Sequence, residues 1–151
     1  MLIERAVDQV ARVVDVEFAA VLELQDDARL ALGAAVGFGD DVIGIAIEGS
    51  AGSQAGYTLD AGKPTVVDDL GAETRLRSVP LLTELGVVSS VTVPISLGDR
   101  NHGVLGAYTT RRRSFSQDEI YFLESVANLL AAVVCSGPRG LLQGPFPWRA
   151  S

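Results

Sequence analysis

The chain has 151 residues, 48% of them hydrophobic, and its 12 basic and 19 acidic side chains give a formal charge of −7. That length suits one domain with one core, and that apolar share excludes a disordered chain. The acidic balance argues against a nucleic-acid surface and against adhesion to anionic membranes, both of which need a basic field.

The remaining totals narrow the chemistry. No apolar run reaches the ~20 residues of a membrane span. The first residues, MLIERAVDQVARVV, carry acids within their apolar pattern and do not read as a signal peptide. Cys135 is the single cysteine, so no intrachain disulfide or thiolate metal centre is expected, and a cytoplasmic location is the simplest. His102 is the single histidine, which excludes multi-histidine metal sites and leaves one candidate base for any nucleophile.

In chain order, residues 2 to 14 place Leu2, Ile3, Ala6, Val7, Val10, Val13 and Val14 at helical spacing, as two apolar ridges. Phe18 to Leu24 read as a strand, Asp26-Asp27 as a turn and Arg29 to Val36 as the returning strand. Ile43, Ile45 and Ile47 alternate, which suggests a short extended piece before the flexible Gly49 to Ser53. A short helix is expected from Gln54 to Asp60. The turn Ala61-Gly62-Lys63-Pro64 leads to an edge strand, Pro64 to Val67, which stops at Asp68-Asp69. Asp69 to Arg77 read as a polar loop and Val79 to Leu85 as a short helix stopped by Gly86.

Residues 88 to 109 carry the clearest hairpin. Val91, Val93, Ile95 and Leu97 alternate with Ser90, Thr92, Pro94 and Ser96, and the tip is placed at Gly98 to Gly103, with His102 on it as a solvated turn residue. Arg111-Arg112-Arg113 read as a solvated loop. Ser116-Gln117-Asp118-Glu119 form a capping box at the start of the last helix. Gly137-Pro138 end that helix, and residues 137–151 form a Gly/Pro-rich tail beyond a domain at 1–136. The element order implies an α+β fold with the terminal helices on one face of an antiparallel sheet and the irregular middle, residues 37 to 87, on the other.

Two stretches carry a family resemblance. "AGYTLDAGKPTVVDDLGAETRLRS" and "LGVVSSVTVPISLGDRNHGVLGAYTTRRRSFSQDEIYFLESVANLLAAVV" resemble a GAF domain, over about residues 1 to 135. The resemblance implies a central six-stranded antiparallel sheet, a small-molecule pocket on the face away from the terminal helices, and dimerisation through those helices. It also implies a place in multidomain bacterial signalling proteins beside kinase, cyclase or transcription-activator domains. It names a scaffold rather than a ligand.

Set in that frame, Ser90 and Thr92 are expected on the pocket floor, with Tyr57, Asp68, Asp69 and Arg75 around it, because hydroxyls and an arginine fork can orient a polar ligand. One of the two aspartates is expected instead to cap the next turn. Leu2, Ala6, Val10, Val13, Leu123, Val126, Leu130 and Val133 are expected at a homodimer interface, because two apolar ridges exceed what one sheet covers.

Family chemistries are weighed by residue. The family's methionine sulfoxide reductases need several cysteines, bilin attachment needs a cysteine in the pocket region, and haem ligation needs a histidine that residues 78 to 87 lack. Cyclic-nucleotide binders carry Asn-Lys…Phe-x-x-x-Asp-Glu; here Asp118-Glu119 follow Phe115 one residue early, without an Asn-Lys pair. The expectation is therefore a non-enzymatic sensor domain that needs no cofactor. The alternative is a ligand-free dimerisation or spacer module with Tyr57, Leu59, Leu70 and Leu82 packed into the cavity. A small-molecule enzyme is the third reading.

Overall fold

The computed structural model describes residues 2–25, 29–39, 44, 46–47, 53–74, 76 and 79–136. The expected Asp26-Asp27 turn, the Ile43-Ile45 alternation, Gly49 to Gly52, Arg75, Arg77 and the 137–151 tail lie outside them. The elements are α1 (Leu2–Val14), β1 (Phe18–Leu24), β2 (Leu30–Val36), β3 (Ala46–Ile47), α2 (Gln54–Ala61), β4 (Thr65–Val67), a 3-10 turn at Leu70–Ala72, α3 (Pro80–Glu84), β5 (Ser89–Leu97), β6 (Arg100–Thr109) and α4 (Gln117–Ser136).

The strands form one antiparallel sheet in the order β3-β2-β1-β6-β5-β4. Five strands carry it rather than six full ones. Among the described residues, the sixth piece is Ala46 and Ile47 beside Ala31 and Leu30. Pro64 precedes edge strand β4, where its missing N–H removes no ladder bond from a neighbour.

Alternation along the strands divides the molecule into two apolar layers. Ala19, Val21, Val91, Val93, Ile95, Leu105 and Ala107 face α1 and α4 and form one core with Ile3, Val7, Val10, Val14, Leu123 and Leu130. Each fully buried valine or leucine contributes about 1.5–3 kcal/mol to holding the helices down. On the other face, Ala20, Leu22, Leu32, Val104 and Tyr108 pack against Phe38, Leu59, Leu70 and Val87 from the middle segment.

This packing corrects the expected dimer interface. Val10, Leu123 and Leu130 are 0%, 0% and 3% exposed within the protomer, so they have no surface to offer a second chain. The sheet takes the Ile3-Val7-Val10-Val14 ridge of α1 and leaves the other one outside. Leu2 and Val13 are each 56% exposed, while Ala6, Val126 and Val133 are half-buried. Tyr121 and Leu129 on α4 are exposed as well.

The capping box forms as expected. The Ser116 N–H donates to Glu119 Oε1 at 2.8 Å, and the Glu119 N–H donates to Ser116 Oγ at 3.1 Å. The arginines before it do more than face solvent. Arg113 donates to the Val14 carbonyl at 2.8 Å and to Glu119 Oε2 at 2.5 Å, with its guanidinium 4.5 Å from the Phe115 ring centre. Arg111 donates to the Asp15 carbonyl. The last carbonyls of a helix lack intrahelical donors and carry its negative end, so two cations are well placed at the end of α1. His102 is corrected too. The β5–β6 turn is only Gly98-Asp99, with Gly98 at φ 63°, and the half-buried His102 lies within β6.

Candidate functional site: a cavity between the sheet and the middle segment

The cavity wall starts with α2. Ser53 caps it by accepting from the Gly56 N–H at 3.1 Å, and Gly62 ends it in the left-handed region at φ 69°. Between those caps, Gln54 and Thr58 point at the sheet, one turn apart. Gln54 donates to the Thr65 carbonyl at 3.1 Å and accepts from Ser90 Oγ at 2.7 Å. Thr58 Oγ1 lies 2.8 Å from Thr65 Oγ1, 2.6 Å from Thr92 Oγ1 and 2.9 Å from the Gln54 carbonyl. All five side chains are buried. The hydroxyls of Ser90 and Thr92 therefore hold α2 onto β5, as Thr65 holds it onto β4. Burying them without these partners would leave a penalty at each site.

The segment after β4 supplies the roof. Asp69 caps the 3-10 turn by accepting from the Gly71 N–H at 3.1 Å, and the Leu70 N–H donates to the Val88 carbonyl at 2.6 Å. That fixes Leu70 inward. Leu76, Val79, Leu81 and Leu82 complete the cover, all half-buried. The helix α3 buries no residue fully and has no side-chain cap at Val79.

Beneath this roof lies a cavity of about 30 Å³. Its floor is Ala20, Leu22, Leu32, Thr92 and Tyr108; Phe38, Gln54, Ala55 and the roof close the sides. No charged side chain lines it among the described residues. Phe38 sets one end. Its ring lies 5.3 Å from that of Phe18 and 6.1 Å, edge-on, from that of Tyr108.

Tyr108 lies along the sheet because Gly106 leaves room. A Cβ at position 106 would stand 2.2 Å from the Tyr108 hydroxyl. The hydroxyl thus sits above Gly106, whose strand neighbours are Ala20 on β1 and Thr92 on β5, both on the cavity floor. Burial alone pushes its phenol well above the ordinary range, and it makes no hydrogen bond among the described residues.

Of the residues expected around a ligand, Thr92 reaches the cavity wall, with its hydroxyl already engaged. Ser90 is buried beside it against Gln54. Asp69 caps a turn, Asp68 is exposed, and Tyr57 is 40% exposed on the outer side of α2. Arg75 lies outside the described residues. Among the wall residues that the sequence reading missed are Gln54, Phe38 and Tyr108, with apolar neighbours such as Leu22 and Leu32. The signal for Tyr108 was available: it shares a strand face with Gly106, two residues away.

Among the described residues, no group of three or more histidine, cysteine, aspartate or glutamate side chains is placed to hold a metal ion. No described helix is long and apolar enough to cross a membrane.

Comparison with known proteins agrees with this architecture. The sequence model of the GAF domain matches residues 2–134. Comparison with curated protein sequences gives no match. Among solved structures, the chain is similar to the GAF domain of an Acinetobacter phosphoenolpyruvate-protein phosphotransferase, at 19% identity and a TM-score of 0.76, over 87% of this chain and 78% of that one. The blue-light absorbing form of the Thermosynechococcus elongatus PixJ GAF domain aligns at 20% identity and 0.73, over 87% and 81%. A type II free methionine-R-sulfoxide reductase from Thermoplasma acidophilum aligns at 18% identity and 0.72, over 89% and 90%. At these identities the likeness is one of fold.

Proposed function

This chain belongs to the GAF domain family, and from that premise we propose that it is a non-enzymatic regulatory sensor. It binds a small molecule in the cavity between the sheet and the α2–α3 segment. It pairs as a homodimer through the parts of its terminal helices left outside the core, and passes the occupied state to a signalling output domain in cis or in trans. The output would be a kinase, a cyclase or a transcription activator of a bacterial cytoplasm. GAF domains are generally regulatory sensors, which supports the reading.

The observation that carries it is the cavity itself. It lies on the sheet face away from α1 and α4, under a roof in which α3 has no fully buried residue. A reductase reading has less behind it despite the Thermoplasma likeness. Cys135 is the chain's only thiol, and a sulfenic acid needs a second one to resolve it.

The spacer reading has one specific observation in its favour. Leu59 and Leu70 are buried in the layer that holds the cavity, Leu82 packs against it, and about 30 Å³ remains. Native mass spectrometry of gently purified protein, beside a denatured sample, separates the two. A dimer with an added small mass supports the sensor. A dimer that stays bare after exposure to small-molecule mixtures supports the spacer, and a monomer overturns the dimer in both.

A further inference from the structure

The polar groups around the cavity divide into those already engaged and one that is not. Gln54 and Thr92 line the wall, but their hydrogen bonds go to Thr65, Ser90 and Thr58. The Tyr108 hydroxyl is the exception. Its side chain is 4% exposed, it stands above Gly106 on the cavity floor, and it has no hydrogen-bond partner among the described residues.

Water is a poor occupant of such a space. A cavity of about 30 Å³ is roomy enough to hold water, so its polarity decides what fills it. Each water needs two to four polar partners, and among the described wall residues the Tyr108 hydroxyl is the side-chain group that makes no hydrogen bond. A charged ligand fits worse still, because no charged side chain among the described residues lines the wall to replace its lost hydration.

We infer that the cavity selects a small neutral molecule, with apolar carbon against the leucines and one oxygen accepting a hydrogen bond from Tyr108. The inference rests on the proposed reading of the cavity as a ligand site, and adds the ligand class and the residue that discriminates it. Tyr108 is the specificity determinant because a ligand without an acceptor leaves the hydroxyl that faces the cavity unmatched.

Acetone and isobutene test this, since they share a shape and differ by oxygen against methylene. Each is titrated at millimolar concentration into the ¹⁵N-labelled full chain and into Tyr108→Phe, following amides of Leu22, Thr92 and Gly106 by NMR. The wild type should bind acetone about five- to tenfold more tightly, the contribution of one hydrogen bond, and Tyr108→Phe should bind both alike. The carbonyl carbon of ¹³C-acetone should move downfield on binding to the wild type, a readout independent of the variant. Equal binding of the two probes by the wild type, or a preference that survives Tyr108→Phe, overturns the role of Tyr108 while leaving the cavity as a site. Binding of neither probe removes the ligand site and this inference together.

Discussion

The Oγ1 atoms of Thr58 and Thr92 stand 2.6 Å apart across the interface of α2 and β5, on side chains 0% and 1% exposed. With Thr65 they form a closed hydroxyl cluster in a region where no solvent compensates a missing partner. Thr58→Val should destabilise the domain by about 1–3 kcal/mol, because it strands the hydroxyls of Thr65 and Thr92. Thr58→Val with Thr92→Val should cost clearly less than the sum of the single changes, as the second removes a group the first left unpaired. Urea denaturation of the three variants measures this, and strict additivity would mean that the cluster is not a unit.

Gly106 and Tyr108 should show coupling of the same sign from a different cause, steric crowding rather than a shared hydrogen bond. Gly106→Ala puts a methyl group 2.2 Å from the tyrosine oxygen and should destabilise by about 1–3 kcal/mol through overpacking. In a Tyr108→Ala background the same methyl group meets open space, so its cost should largely vanish. A double-mutant cycle by thermal or urea unfolding reads the difference.

The two ridges of the terminal helices separate stability from assembly. Leu123→Ala should cost about 2–5 kcal/mol, since Leu123 is wholly buried. Val13→Glu with Leu129→Glu should leave the urea midpoint nearly unchanged, because both sites are more than half exposed. If the proposed dimer uses this surface, light scattering should show the double variant as a monomer beside a dimeric wild type. A variant that remains dimeric would move the interface elsewhere.

Acid should act on the junction of α1 and β1. Burial disfavours the Glu17 carboxylate, but hydrogen bonds from Thr109 and Thr110 outweigh it and lower its pKa from 4.5 to about 2. The Thr110 hydroxyl donates to Glu17 Oε2 at 2.6 Å. A carboxylate held below its unfolded value adds stability that is present above pH 4.5 and lost as the pH falls toward about 2. Glu17→Gln should therefore be less stable than wild type at neutral pH, with the gap closing across that window. Because Glu17 is exposed, the gap should be small. Urea midpoints at several pH values test it, and a constant gap would assign the effect to packing instead.

Legibility in the sequence followed the range of the interaction. The α4 capping box is a contact over three residues, and the β5 alternation is a local period, so both could be read directly. Alternation assigned Ser90 and Thr92 to the correct sheet face but could not show that Gln54 and Thr58 would claim their hydroxyls, since those partners are 36 and 34 positions away. The two ridges of α1 were visible, yet only packing shows that the sheet takes Val10 and leaves Val13. The polar stretch from Arg100 to Gly103 resembled a loop. A two-residue turn and the register shift between Ile95 and Ser96 draw it into β6 instead. Arg111 and Arg113 looked solvated because their acceptors, the carbonyls at the end of α1, lie nearly a hundred residues earlier.

The position of Tyr108 above Gly106 also bears on how this fold can diversify. The tyrosine ring occupies space on the floor that a smaller side chain would release, while its Cα belongs to a strand held on both sides by Phe18 and Ser90. Part of the cavity's size and polarity is thus set by a pair of positions on one strand face, apart from the opposite core. A lineage could enlarge, shrink or chemically recast the chamber by substitutions at 106 and 108 alone. Tyr108→Ala, with the remaining framework intact, should admit benzene-sized molecules that the present chain turns away, and NMR titration with benzene would measure that enlargement.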